Sequence, residues 1–218
     1  MKINTVKGIE ISALSLGTVQ LGLSYGINNA DGKPSQETAN AILNAAIDGG
    51  INTLDTAGAY GDSEVVIGNW LKTIAPEERP FIVTKAAHLD HSSLDALRKD
   101  LFGKVKTSKE RLGVEQLDML MLHHFDDYLA NQENLLKVMQ ELKAEGDVRF
   151  IGASAYSHHD YGVLADAGFD ATQIPINIFD WGQIENGGMQ KLADSGMMIF
   201  TRSVFLQGLV FHTPEDLD

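Results

Sequence analysis

The 218-residue sequence predicts one α/β domain (residues 1–218) built as a (β/α)8 barrel, on three observations. Seven short apolar runs alternate with helix-like stretches, the pattern of a sheet with helical crossovers. The first runs are apolar almost throughout, as for parallel strands covered on both faces. Polar residues stand at or just beyond the C-terminal ends of most runs: Thr18, Asp55, Lys85, His123, Ser154, Asn177 and Arg202. An open doubly wound sheet gathers function at one switch point, whereas a barrel draws it from every strand end.

In chain order, INTVKGIEIS (3–12) reads as a hairpin turning at Lys7-Gly8, laid over the N-terminal end of the barrel. The strand runs are ALSLGTV (13–19), INTLDTA (51–57), FIVTKAA (81–87), QLDMLMLHH (116–124), RFIGASAYS (149–157), ATQIPINIF (171–179) and MMIFTRSV (197–204). Helices are expected near 35–48, 63–74, 92–112, 131–145, 158–167 and 183–195. Ser35, Ser63, Ser92 and Asn131 are their candidate N-caps. Gly49, Gly113, Gly146, Gly168 and Gly196 stand where helices stop. Seven strands are one short of a closed barrel, and an apolar open edge is an aggregation hazard. A further helix-strand-helix is therefore expected after residue 218.

Composition narrows the function. A net charge of −13 argues against nucleic acid as a partner, because phosphate binding needs a basic patch. The absence of cysteine removes disulfides and thiol catalysis. The opening MKINTVKGIEIS has no signal-like apolar core and no run approaches membrane-spanning length, so a cytoplasmic protein without membrane association is expected. Composition leaves the oligomeric state open.

The segment LDTAGAYGDSE (54–64) puts a carboxylate and a phenol five residues apart among small residues at a strand mouth. In a barrel, Asp55, Tyr60, Lys85 and His123 become neighbours on one rim. A free tyrosine titrates near pH ~10, and an adjacent ammonium favours its phenolate. Asp55 would hold Lys85, and His123 would orient a carbonyl oxygen. The set suits protonation of a carbonyl oxygen while hydride arrives at carbon, and residues 56–59 leave room for a flat nicotinamide. Other readings exist for each part. Asp55 could be a strand-end cap and Tyr60 a rim residue. His123-His124 could be surface histidines or metal ligands, but they lack a partner at helical ligand spacing, so no metal is expected. Asp126-Asp127 read as solvated loop charges. No GxGxxG follows a strand, so a Rossmann cofactor site is not indicated.

These residues resemble the aldo-keto reductase family. The resemblance rests on LSLGT (14–18), LDTAGAYGDSE (54–64), VTK (83–85), SKERLGVEQLDMLMLHH (108–124), IGASA (151–155), Gln173 and RSVFLQGL (202–209). It implies a (β/α)8 barrel that binds NADPH, or less often NADH, and reversibly reduces aldehydes and ketones, with a small-molecule carbonyl as partner. Carried over by position, Tyr60 is the general acid, Lys85 lowers its pKa, Asp55 pairs with Lys85, and His123 orients the substrate. Cofactor contacts are implied for Gly17, Thr18, Asp55, Ser154, Gln173, Arg202, Ser203 and Gly208. The family's asparagine after the strand-five serine is Ala155 here, and its nicotinamide-stacking aromatic is Arg202, whose planar guanidinium can stack on a ring. LGLSYGINNADGKPS (21–35), HHFDDYLAN (123–131), Phe179 and Trp181 are expected to line the substrate pocket. An alternative of the same ancestry is a cofactor-binding sensor or regulatory barrel with little turnover; a third is an unrelated barrel lyase or isomerase using Lys85 as a Schiff-base nucleophile.

Overall fold

The computed structural model describes residues 1–27 and 29–213. Asn28 of the long first loop, the last five residues of the chain and the further unit expected after them lie outside the described residues. The hairpin forms as expected. Strands β1 (Ile3–Val6) and β2 (Ile9–Ser12) pair antiparallel. Lys7 and Gly8 both have positive φ, 48° and 77°, which makes a turn whose twist suits a two-residue hairpin.

Seven parallel strands follow in sequential order: β3 (Leu16–Gly17), β4 (Thr53–Asp55), β5 (Phe81–Ala86), β6 (Leu117–Leu122), β7 (Val148–Ser154), β8 (Ala171–Pro175) and β9 (Met198–Arg202). The sheet curls with helices outside and is that of a (β/α)8 barrel. Two cores show the inside and the outside. Val83, Met119, Met121, Ala171 and Met198 cluster with Ile9 and Ile11, so the hairpin seats its apolar face against the strands' inner side. Ile82, Leu120, Ile151, Ala153 and Ile174 pack outward with helix residues such as Leu97, Leu101 and Leu135.

The crossovers are α2 (Gln36–Asp48), α3 (Ser63–Leu71), α4 (Leu94–Leu112), α6 (Gln132–Ala144), α7 (Tyr161–Asp166), α8 (Gly182–Glu185) and α9 (Gly188–Asp194); short α1 (Val19–Gly22) and α5 (Phe125–Ala130) add turns over the strand ends. Ser35 caps α2 by accepting the Thr38 N–H. The other expected caps move. Ser92 is held by Asp90, so Ser93 caps α4 through the Ala96 N–H. Ser63 lies inside α3, with its hydroxyl turned into a buried bond to the Thr18 carbonyl. Asn131 precedes α6 but accepts from the Asn134 side chain rather than a backbone donor. The helix expected over 183–195 is broken in two, with Gly187 left-handed between the halves at φ 81°. The run 171–179 stops as a strand at Pro175, and beyond it the Phe179 N–H turns back to the Asn177 side chain.

Candidate active site

Side chains alternate along a strand, so a residue two positions beyond an inward core residue also points inward. That rule places Lys85 after Val83, His123 after Met121, Gln173 after Ala171 and Arg202 after Phe200. Asp55 and Ser154 follow Thr53 and Gly152 in the same way. Each of these core residues sits at the inner face, so the polar residues gather at its C-terminal end. The register agrees: Gly17 pairs with Asp55, and Ser154 with Gln173.

Lys85 is the centre. Its side chain is 1% exposed, and its Nζ donates to Asp55 Oδ1 at 2.5 Å and to the Thr56 carbonyl at 2.9 Å. Gln173 Nε2 donates to the same Asp55 oxygen at 3.0 Å. Burial pulls the Lys85 pKa down, and Asp55 opposes that shift. A Schiff-base role fits this poorly, since the nitrogen is enclosed and committed to a carboxylate.

Tyr60 comes from the loop between β4 and α3. That loop is pinned to β5 by Thr56 N–H to the Val83 carbonyl and Gly58 N–H to the Lys85 carbonyl, and Tyr60 N–H closes a turn on Ala57. Lys85 Nζ lies 5.2 Å from the Tyr60 ring centroid, and the His123 ring meets Tyr60 edge-on at 5.7 Å. The expected depression of the phenol by Lys85 is not what this geometry yields. Burial first, then the Asp55 charge, push the Tyr60 pKa above its ordinary value, with Arg202 opposing. The lysine's charge is cancelled by Asp55 at contact distance, so little of it reaches the phenol. Tyr60 is therefore protonated at neutral pH. Burial, then Lys85, lower the His123 pKa to about 4, so its imidazole is neutral; its Nδ1 is buried with no hydrogen-bond partner among the described residues.

The remaining expected residues divide. Ser154 and Gln173 are buried at the inner rim, and Gly17 is exposed at the end of β3. Thr18 is fully buried, and its hydroxyl donates to the Asp55 carbonyl, so it braces the strand mouth. Arg202 lies 4.4 Å from the Tyr156 ring and donates to the Ala155 carbonyl at 3.2 Å and to Ser203 Oγ at 3.3 Å. Ser203, Leu206, Gln207 and Gly208 all have positive φ, a tight loop in which the Leu206 and Gly208 N–H groups bond to the Ser203 and Phe205 carbonyls. Phe179 and Trp181 stand exposed at 76% and 57%, beyond the inner rim. HHFDDYLAN is helical from Phe125 rather than an open loop.

Two features escaped the sequence reading. Tyr156 covers Arg202 and continues a stack of nearly parallel rings, His123–His124–Tyr156–His158, with interplanar angles of 21°, 12° and 15°. The aromatic directly after the Ser154-Ala155 strand end was the available signal. Asp126 and Asp127 are also not simply solvated, because they meet His159 Nε2 at 3.2 Å and His91 Nε2 at 3.0 Å. Asp126, His158 and His159 come close enough to suggest metal ligands. Hydrogen bonding opposes this: His159 Nδ1 accepts the Tyr156 N–H at 2.8 Å, so the neutral ring carries its proton on Nε2, facing Asp126.

The sequence matches the model of the aldo/keto reductase family over residues 13–216. The chain belongs to the aldo/keto reductase family. Aldo-keto reductase YhdN of Bacillus subtilis is 33% identical over 180 residues, 79% of this chain and 52% of that protein. The NADH-specific methylglyoxal reductase of Escherichia coli is 27% identical over 227 residues, 94% of this chain and 67% of that protein. Among solved structures, the thermostable aldo-keto reductase Tm1743 bound to the inhibitor epalrestat superposes with a TM-score of 0.77 at 26% identity, covering 99% of this chain and 76% of that one. This aldo/keto reductase chain thus spans about half the length of YhdN. No described helix is long and apolar enough to cross a membrane.

Proposed function

We propose that this site reduces an aldehyde or ketone to an alcohol with NADPH or NADH, in a cytoplasmic setting. The observation that carries the reading is the buried Lys85–Asp55–Gln173 cluster with a protonated Tyr60 on one side of it and a neutral His123 beside the phenol.

The residues present fit a nicotinamide dinucleotide. Ser154 and Gln173 put amide-recognising groups at the inner rim, and the buried Nδ1 of His123 has no partner among the described residues. When bound, the cofactor supplies hydride to the carbonyl carbon. Tyr60 is positioned to give its phenolic proton to the carbonyl oxygen as the C–O π bond is broken. Its O–H bond breaks, the alcohol O–H forms, and a phenolate remains that takes a proton back from water. A raised phenol pKa keeps the donor loaded at neutral pH. The nascent phenolate is favoured by Arg202, and Lys85, its charge largely cancelled by Asp55, adds a smaller share. Neutral His123 can hydrogen-bond the carbonyl oxygen and so fix its orientation without adding charge. The free face of Arg202 is available to the nicotinamide, its other face being on Tyr156.

The test is oxidation of NADPH and of NADH by the chain against a panel of aldehydes, ketones and sugars, with Tyr60→Phe alongside. Turnover lost in Tyr60→Phe by about 10²-fold or more, with cofactor binding kept, supports the reading. Cofactor binding without turnover on any carbonyl supports the sensor alternative instead.

A further inference from the structure

Helix α3 opens on Asp62-Ser63-Glu64, residue types that suit a helix start, yet none of them caps it. Asp62 stands at the cap position without a side-chain bond to the helix and pairs with Lys33 instead. Ser63 and Glu64 turn inward and are buried, with Glu64 accepting the Thr84 hydroxyl. We propose that Ser63, locked between Thr56 and Thr18, is a positioning residue for Tyr60. The proposal rests on the reading of Tyr60 as the proton donor and adds what holds that donor in place.

The hydroxyl protons give the network one direction. The Asp55 carbonyl can only accept, so the Thr18 hydroxyl donates to it at 2.8 Å. Ser63 must then donate toward Thr18, whose carbonyl and Oγ1 both lie 2.9 Å from its Oγ. With its one proton spent, Ser63 accepts from the Thr56 hydroxyl at 2.9 Å. Thr18, Thr56 and Ser63 are all fully buried. Removing the central hydroxyl therefore leaves the Thr56 proton enclosed without its acceptor.

These bonds straddle the donor. Thr56 and Ser63 flank Tyr60 in the chain, and the bond between them closes the intervening segment into a ring. Within the ring the Tyr60 backbone is held on both sides. Its N–H donates to the Ala57 carbonyl at 3.0 Å, and its carbonyl accepts the Ser63 N–H at 3.0 Å. Ser63 thus grips Tyr60 with its backbone while its side chain is anchored at two strand mouths. Thr18 directly follows β3, and Thr56 directly follows β4. Serine suits the position because one short side chain supplies both a donor and an acceptor. With the hydroxyl gone, the Ser63 N–H and the Tyr60 carbonyl on it can shift together, and the phenol shifts with them.

Three substitutions test this. Thr56→Val keeps the shape and removes the hydroxyl, Thr56→Ser keeps the hydroxyl and removes a methyl, and Ser63→Ala removes the centre of the network. Single-turnover cofactor oxidation, cofactor affinity and amide hydrogen exchange are followed in each. Thr56→Val and Ser63→Ala should slow turnover by about tenfold or more with cofactor affinity kept, because a displaced donor slows proton transfer and not binding. Thr56→Ser should stay within about twofold of the parent, since the bond survives. The double variant Thr56→Val/Ser63→Ala should lose no more than Ser63→Ala alone, because both changes break the same bond. In Thr56→Val and Ser63→Ala the Tyr60 and Ser63 amides should exchange roughly fivefold faster or more, while the amides of β5 and β6 keep the parent's protection. A general loss of stability would quicken both sets. Parent-like rates in both Thr56→Val and Ser63→Ala, Thr56→Ser as impaired as Thr56→Val, or unchanged exchange at Tyr60 and Ser63 would each overturn the inference. A parent chain that turns over no carbonyl defeats the reductase reading alone, and exchange then decides whether Ser63 holds Tyr60.

Discussion

Replacing Lys85 by methionine separates two effects of one ammonium. The substitution fills the same buried volume but leaves Asp55, whose side chain is 18% exposed, with Gln173 as its remaining side-chain donor. Removing one partner of a buried ion pair costs about 3–5 kcal/mol, and the partial exposure of Asp55 places this site at the lower end. Catalysis loses something different. The phenolate left by proton donation no longer has a cation 5.2 Å from its ring. For a lone cation at an effective dielectric of about 20, 332/(20 × 5.2) gives about 3 kcal/mol; with Asp55 at contact distance cancelling most of that, the rate should fall by less than the roughly 10²-fold it implies. Adding Asp55→Asn removes the orphaned charge. The double variant should recover most of the stability, since no buried charge is left unpaired. It should recover only part of the activity: the carboxylate that opposes the phenolate is gone, but so is the cation that favours it. Urea unfolding measures the first quantity, and single-turnover cofactor oxidation the second. A Lys85→Met variant as active as the parent, or a double variant no more stable than Lys85→Met, refutes the pairing as drawn.

Tyr60→Phe should leave the fold and cofactor affinity near normal while turnover falls by about 10²-fold or more, read by fluorescence titration and steady-state rates. His123 sits at about 4 in the fold against 6.5 when free, so the unfolded chain takes up its proton first as pH falls. Its contribution is therefore fully present above about 6.5 and lost progressively down to about 4; thermal melts of His123→Asn against the parent should show a smaller loss across that window. Gly22→Ala should destabilise by about 1–3 kcal/mol, because its Cβ would lie 1.8 Å from the Tyr60 carbonyl oxygen and 2.5 Å from the Ser63 nitrogen. Gly17→Ala, where a Cβ meets nothing within 4 Å, should leave stability unchanged in the same chemical denaturation series.

The barrel was legible because its signals are periodic. Apolar runs give the strands, and a polar residue two positions beyond an inward core residue gives the rim; both follow from alternation and need no tertiary knowledge. The hairpin was legible because Lys7-Gly8 is local turn chemistry. What escaped depends on competition between neighbours. Ser63 looked like a cap, but a buried hydroxyl network claims it first, through Thr56 and Thr18. Ser92 lost its place to Ser93 because Asp90 reaches its N–H within two residues. Thr18, which the resemblance implies as a cofactor contact, is fully buried with its hydroxyl on the Asp55 carbonyl. The phenol's raised pKa escaped although the Asp55–Lys85 pair was expected: it comes first from burial, which is set by tertiary packing, and then from the Asp55 charge.

These differences bear on how the site is built. Asp55, Lys85, Gln173 and Arg202 ride on strands whose register fixes their mutual distances. Tyr60 hangs on a loop, and His123 lies one residue beyond β6. Backbone bonds to Val83 and Lys85 hold that loop from below, and Gly22 presses against it from the first strand-helix turn. The proton donor is thus placed by loop backbone bonds rather than by strand register, and the charged pair beside it is nearly self-neutral. A rigid, neutral Lys85–Asp55 pair changes little when carbonyl and cofactor arrive. A displacement of the Tyr60 loop by about 1 Å changes the donor distance directly, and misplacement of that size costs about 10²-fold. Substitutions in the first loop that never touch substrate should therefore alter rate more than substitutions on the strands' outer faces, with Gly22 the most sensitive point.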